Sequence, residues 1–233
     1  MSGAESTTAT RRSFVRRRLD AAGAQWAPLA DVPVARHVAG ERADAAVVLR
    51  DLSPLPRTGF KGADTAAWLS AQGLDCAAPH NRATAQADAT LLARLSPGEF
   101  LLLGRLDGAA GLVDTLDSRW SLDEAGMCFQ LPRRDSHAWF LLSGPGTPQL
   151  FAKICGIDLR PHKLADLTIA QTSVARLSAI VIRDDRAGDP AFHLLADSAS
   201  AAYLWDCLVD AMAEFSGALA GLDSLAAKCL PPL

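Results

Sequence analysis

The chain contains a copy of part of itself. Residues 100–117 lie on 192–209 at a constant offset of 92, without a gap, and eight of the 18 positions are identical. The identities are Phe100/Phe192, Leu102/Leu194, Leu103/Leu195, Ala109/Ala201, Ala110/Ala202, Leu112/Leu204, Asp114/Asp206 and Leu116/Leu208. They fall where a strand followed by a helix needs its apolar side chains. Phe100 to Leu103 and Phe192 to Leu195 are short apolar runs behind the turn signals Ser96-Pro97-Gly98 and Gly188-Asp189-Pro190. Leu112 and Leu116 are four apart, as are Leu204 and Leu208, so each pair shares a helix face.

A weaker match precedes each copy. Residues 62–69, from Gly62 through Thr65 to Trp68, resemble 144–151, from Gly144 through Thr147 to Leu150. Here the offset is 82, so the second half carries ten more residues. Their predicted place is 169–185, where Val174, Arg176, Ser178, Ile180 and Ile182 alternate as in a long strand or hairpin arm. The first half then reads strand 46–51, helix 62–73, strand 99–105 and helix 107–118. The second reads strand 137–143, helix 145–155, strands 168–183 and 190–196, and helix 198–215. Connections this mixed exclude a doubly wound parallel sheet. They predict an α+β fold made of two duplicated ferredoxin-like halves. The expected plan is a flexible basic extension over 1–40 and one body over 41–233, with repeats at about 45–120 and 136–215.

Composition excludes several functions. Hydrophobic residues are 49% and charged residues 21%, as in ordinary globular chains. A net charge of −3 argues against broad coating of nucleic acid or anionic membrane. The charge is unevenly divided: residues 1–18 carry +4 and the remainder −7. Arg11-Arg12-Ser13-Phe14-Val15 looks like a twin-arginine export signal, but no apolar run follows it, so export is rejected. The arm is expected to be solvated, the sharper alternative being a strap that docks on an acidic partner surface. No segment approaches the ~20 apolar residues of a membrane span. Cys76, Cys128, Cys155, Cys207 and Cys229 include no Cys-x-x-Cys pair, which speaks against zinc and disulfide frameworks and for the reducing cytoplasm.

A search for an independent active site finds candidates with blander readings. There is no G-x-G-x-x-G behind a strand and no phosphate loop. Residues 143–147, Ser-Gly-Pro-Gly-Thr, open a helix whose amides could take an anion, though a tight turn explains the same residues. Asp184, Asp185 and Asp189 lack the distal Glu of a calcium loop and read as a charged hairpin tip. His37, His80, His137, His162 and His193 show no i, i+4 metal-ligand pair, and each reads as structural. Neither a catalytic, a cofactor-binding nor a metal residue is assigned. What remains is surface. Tyr203 and Trp205 on the 198–215 helix, with Arg57 and Lys61, are the candidate partner-interface residues. The 197–228 stretch around the aromatic pair is acidic, with Asp197, Asp206, Asp210, Glu214 and Asp223 against Lys228.

Several ordered stretches resemble one family. They are Asp51-Leu-Ser-Pro-Leu-Pro-Arg57-Thr-Gly-Phe-Lys61-Gly62, Ala67-Trp68-Leu69, Asn81-Arg82-Ala83 and Leu-Ser-Pro-Gly-Glu-Phe-Leu-Leu-Leu at 95–103. Ser136-His137-Ala138-Trp139, Leu142-Ser143-Gly144-Pro145, Phe192 through Asp197 and Tyr203-Leu204-Trp205 follow. Over residues 45–215 this order and spacing resemble the gamma subunits of heterotetrameric sarcosine oxidases, whose fold is that of the folate-binding aminomethyltransferases. The resemblance implies an assembly that oxidises sarcosine to glycine with production of hydrogen peroxide. The one-carbon unit passes to tetrahydrofolate or leaves as formaldehyde. It places FAD, FMN, NAD and tetrahydrofolate in partner subunits. It implies alpha, beta and delta partner subunits and no catalytic residue in the gamma chain. The alternative is a stand-alone folate-binding aminomethyltransferase-like protein, and an isolated chain could also self-associate. The Lys-Gly-Cys-Tyr-x-Gly-Gln loop of the related iron–sulfur assembly proteins is not matched by Lys153-Ile154-Cys155-Gly156, so that function is not carried over.

Overall fold

A computed structural model of the chain describes residues 11–29, 32–109 and 111–225. Residues 1–10 of the basic extension, Ala110 of the repeat, and Lys228 and Cys229 lie outside the described residues. The described elements begin with helix α1 (Arg16–Ala21) and the hairpin β1 (Gln25–Leu29) and β2 (Val32–His37). Strands β3 (Val48–Asp51) and β4 (Arg57–Lys61), helix α2 (Thr65–Ala71), strands β5 (Arg82–Ala85), β6 (Leu91–Ser96) and β7 (Glu99–Leu103), helix α3 (Leu112–Arg119) and strand β8 (Phe129–Leu131) follow. After the short helix α4 (Arg133–Ser136) come β9 (His137–Ser143), α5 (Thr147–Ile154), β10 (Ile169–Val174), β11 (Leu177–Arg183) and β12 (Ala191–Asp197). A 3-10 turn leads into α6 (Ala201–Ala213), and β13 (Ala218–Leu219) closes the series.

The strands build two sheets besides the β1–β2 hairpin. Sheet one has the order β5-β6-β7-β4-β8 and sheet two the order β10-β11-β12-β9-β3-β13. Side-chain alternation makes a helix–sheet–sheet–helix stack. Leu101 and Leu103 of β7 meet Trp139 and Leu141 of β9 in a core between the sheets. Phe100 and Leu102 turn the other way, onto Leu69 of α2 and Leu116 of α3. Ala138, Phe140 and Leu142 turn onto Leu150 of α5 and Leu204 and Leu208 of α6. Strands buried on both faces must be apolar at every position, which is why 101–103 and 138–142 are unbroken apolar runs.

The repeat pairs equivalent places. Its strand halves are β7 and β12, each hydrogen-bonded to the strand that opens its half, β4 or β9. Its helix halves are α3 and α6. Gly62 and Gly144, equivalent at the strand-to-helix turns, both have positive φ, +144° and +111°. A Cβ on Gly62 would fall 1.9 Å from the Met127 carbonyl oxygen, and one on Gly144 2.6 Å from that of Ala46. Only glycine lets the neighbouring main chain approach this closely.

Three expectations are corrected. The strand near 46–51 pairs with β9 in sheet two, not within the first half, and the matching place in sheet one belongs to β8. The chain therefore crosses between sheets twice, at 52–56 and at 132–136. Second, the 169–183 hairpin forms as expected, turning on Ala175 and Arg176 at φ +49° and +67°. It has an equal in sheet one, β5–β6 over 82–96, so nine of the ten extra residues sit in the loops on either side of it and one lengthens α5. Third, the extension is not a solvated tail from Ser13 onward. Val15 and Leu19 are buried at 1% exposure in the α6 core, and Val34 at 1% in the inter-sheet core. Arg18 holds Asp206 with two bonds of 2.8 and 2.7 Å, Arg36 holds Asp223 at 2.9 Å, and Arg11 reaches Asp135 at 3.2 Å. The basic arm is drawn onto the acidic surface of its own body. Among the described residues no helix is long and apolar enough to cross a membrane.

Sheet two buries a polar chain at His193. The Trp139 Nε1–H donates to His193 Nδ1 at 3.0 Å, so the imidazole proton is on Nε2 and is donated to Asp184 Oδ2 at 3.0 Å. Burial pushes the Asp184 carboxyl up, but His193 and Arg186 outweigh it and hold the group below the usual range. His193→Leu should destabilise the chain by about 2–3 kcal/mol, because it orphans a buried indole N–H. Adding Trp139→Phe should recover part of that loss in urea unfolding; strictly additive losses would contradict the bond.

Candidate functional site

The four candidate interface residues separate into two buried and two exposed. Arg57 is 1% exposed and Trp205 2%. Trp205 meets Phe140 edge-on at 5.2 Å between ring centroids, inside the α6 core. Neither side chain is at the surface, a correction to the sequence expectation. The Trp205 stripe reads as core because 201, 204, 205, 208, 211 and 212 all face the sheet. Tyr203 is half exposed and its hydroxyl donates to the Ala175 carbonyl at 3.3 Å. Lys61 is exposed and paired with Glu99 at 3.0 Å.

Arg57 does structural work that its sequence position concealed. Its Nη1 donates to the carbonyls of Ser53 at 2.7 Å and Leu55 at 3.1 Å, on the first inter-sheet crossing. Its Nε donates to the carbonyl of Arg133 at 3.2 Å, and its Nη2 to those of Arg134, at 2.8 Å, and His137, on the second. One guanidinium ties both crossings. Burial pulls it down to about 9, with the Asp51 carboxylate pulling back, so it stays charged at neutral pH.

A cleft of about 460 Å³ opens where the inner faces of the sheets part. Its lining includes His137, Gln171, Ser173, Ser178, Ile180 and Leu195 from sheet two. Glu99 stands on the facing side of sheet one, two residues from the inward-facing Leu101. Glu99 binds Arg133 at 2.5 Å. The Arg133 stem lies over Gly59, where a Cβ would come within 3.1 Å of it. The His137 tautomer follows from its neighbours. The Ser136 hydroxyl donates to the Pro132 carbonyl at 3.2 Å, so His137 Nδ1–H donates to Ser136 Oγ at 2.9 Å and the Nε2 lone pair faces Arg133 Nη1 at 3.4 Å. Burial, then the Arg133 and Arg57 charges, push the imidazole down to about 4. At neutral pH it is an uncharged acceptor. The Gln171 amide is spent on Asn81 Oδ1 at 2.9 Å and the Leu95 carbonyl at 2.7 Å.

The other motifs take structural roles. Gly146 N–H donates to the Ala46 carbonyl at 2.8 Å and Thr147 N–H to that of Gly144 at 3.0 Å, so the α5 start spends these amides on the chain itself. The proline inside the helix is Pro148, not Pro145. Asp184 serves His193, and Asp185 grips Arg183. Among the described residues no three His, Cys, Asp or Glu side chains group to hold a metal ion. The sequence reading missed the Glu99–Arg133–His137 cluster; the one signal for it was Glu99 standing polar at the head of an apolar strand.

Comparison with known proteins defines first a fold and then a nearer relative. The glycine cleavage system aminomethyltransferase T of Bartonella henselae superposes with a TM-score of 0.76 at 16% identity, over 94% of this chain and 62% of that one. The fold is therefore a mixed α+β fold of the aminomethyltransferase kind. In sequence, the chain is 29% identical over 196 residues to sarcosine oxidase subunit gamma of Corynebacterium sp. (strain U-96), covering 82% of this chain and 90% of the relative. A chain of the heterotetrameric sarcosine oxidase from Corynebacterium sp. U-96, in complex with pyrrole 2-carboxylate, matches with a TM-score of 0.66 and 25% identity, over 89% of this chain and 97% of that one. The resemblance carried by the ordered motifs is thus shown in sequence and in fold. No family model matches the chain.

Two outcomes test these assignments. Arg57→Met should cost about 3–5 kcal/mol, because it strands carbonyls at both crossings; a loss under about 1 kcal/mol would contradict the tie. His137 should titrate near 4 by NMR. Its folded value is depressed below the ordinary 6.5, so the unfolded chain binds the proton first. Stability should fall as pH drops from 6.5 toward 4, and less steeply in His137→Gln. A midpoint near 6.5 would contradict the burial of the ring.

Proposed function

We propose that this chain is a non-catalytic gamma-type subunit of a sarcosine-oxidase-type assembly, stabilising and packing against its large flavin- and folate-binding subunit. The observation that carries the reading is identity at 29% sustained over 90% of the gamma relative's length. In this reading the assembly demethylates sarcosine oxidatively to glycine and yields hydrogen peroxide, the one-carbon unit going to tetrahydrofolate or formaldehyde. The partners are alpha, beta and delta subunits in the cytoplasm, and FAD, FMN, NAD and tetrahydrofolate belong to partner subunits, the flavins and folate to the larger ones. The two halves descend from one ferredoxin-like unit, a reading supported by the shared strand order and the paired glycines. Tyr203 and Lys61 are the two proposed interface residues whose side chains a partner can reach.

The second reading, a stand-alone folate-binding protein, is favoured by the 0.76 superposition on an aminomethyltransferase and by the inter-sheet cleft. Against it, polar groups in and beside that cleft are bonded to one another: Arg133 to Glu99, Gln171 to Asn81 and the Leu95 carbonyl. These pairings support the reading in which tetrahydrofolate belongs to a partner subunit. Co-expression with the larger flavin-bearing chain should give a stable complex, and the isolated subunit should be colourless and inert toward sarcosine. Micromolar tetrahydrofolate binding by the isolated chain in calorimetry would overturn the subunit reading.

A further inference from the structure

The two sheets share a strand order up to one place. In sheet two the outer edge of β3 is covered by β13, whose Ala218 N–H donates to the Val47 carbonyl at 2.9 Å, and the Ala220 N–H just beyond it to that of Leu49 at 3.1 Å. In sheet one β8 holds the equivalent place, and among the described residues no strand lies beyond it. Phe129 is opposite Lys61 as Val48 is opposite Ser143, so Cys128 stands for Val47 and Gln130 for Leu49. Gly62 N–H donates to Gly98 O and Gly104 N–H to Pro56 O, which turns the even residues of β4 toward β7 and the odd ones toward β8. The main chain of Phe129 and Leu131 therefore faces β4, and that of Gln130 faces outward. The Cys128 carbonyl, also outward, is capped by the Trp120 indole N–H at 2.9 Å.

Around this bare edge the surface is apolar. Of the six large hydrophobic side chains exposed among the described residues, three lie within eight residues here: Leu122 at 60%, Met127 at 58% and Phe129 at 48%. Exposed apolar side chains gathered in this way mark interaction sites. The border is acidic. Asp123 and Glu124 are exposed and form no ion pair among the described residues, Asp64 accepts the Met127 N–H, and Asp117 accepts the Gln130 amide. The nearby basic side chains Lys61, Arg133 and Arg134 are already paired, the first two with Glu99 and the third with Asp114.

We propose that this edge is where a partner protein chain docks. The partner presents an apolar segment flanked by Lys or Arg, covers Leu122, Met127 and Phe129, and bonds the outward main chain of Gln130 as β13 bonds that of Leu49. The proposal rests on the subunit reading and names the surface by which the large chain is held.

The test measures the dissociation constant of the complex with the larger flavin-bearing chain. Met127→Ser/Phe129→Ser and Asp123→Lys/Glu124→Lys should each weaken it about tenfold or more. Ile157→Ser, at another exposed apolar residue, should change it less than about twofold. Binding of the wild-type chain should weaken with rising salt. Circular dichroism and melting temperature of each variant should match the parent, because all five side chains are exposed. Patch variants that bind as tightly as the parent would overturn the surface and leave the subunit reading standing. A self-dimer in light scattering that the patch variants abolish would overturn it too, by making a second copy the occupant. No complex with the parent chain would overturn the subunit reading and this surface together.

Discussion

The buried guanidinium of Arg57 is the interaction on which the rest of the structure depends. Two sheets that exchange strands need the chain to cross between them twice, and crossing segments carry main-chain carbonyls that no ladder satisfies. One planar fork with five donors can serve five carbonyls at once, where a lysine ammonium has only three N–H groups. Arg57 takes acceptors at 53 and 55 on one crossing and at 133, 134 and 137 on the other. The sheets are thereby held face to face, and Trp139, Leu141, Leu101 and Leu103 close the core between them.

Side chains of catalytic type are then spent on holding this frame. His193 links a buried indole to Asp184. His137 lies at the mouth of the inter-sheet cleft with its proton fixed on Nδ1 by Ser136. The arm, basic where the body is acidic, closes over α6 through Arg18 and Asp206. In the proposed subunit reading such a molecule offers partners its outside, and among the described residues that outside is uneven: one sheet edge is covered by β13 and no strand covers its counterpart at β8.

Much of the fold was legible because the repeat preserves what both halves need. The apolar runs at 100–103 and 192–195 and the glycines at 62 and 144 mark strand and turn with little ambiguity. The β5–β6 hairpin was not legible, since Arg82 to Ala85 is short and carries no strong alternation. Strand exchange was hidden too, because nothing local tells Val48 to pair with Ser143 rather than with β4. Of the candidate interface residues, Tyr203 and Lys61 are exposed. Arg57 and Trp205 are buried, which was not legible because a charge or an aromatic reads the same at an interface and inside. The exposed apolar side chains Leu122, Met127 and Phe129 were overlooked, as the 122–129 stretch has neither helix nor strand periodicity.

The claim that a partner chain completes the bare edge of sheet one is tested most directly by hydrogen–deuterium exchange of the subunit, free and assembled. The account predicts new protection concentrated over residues 120–131, including the Gln130 amide, with the interior of sheet two unchanged. Protection confined to α6 around Tyr203, or none at 120–131, would contradict it.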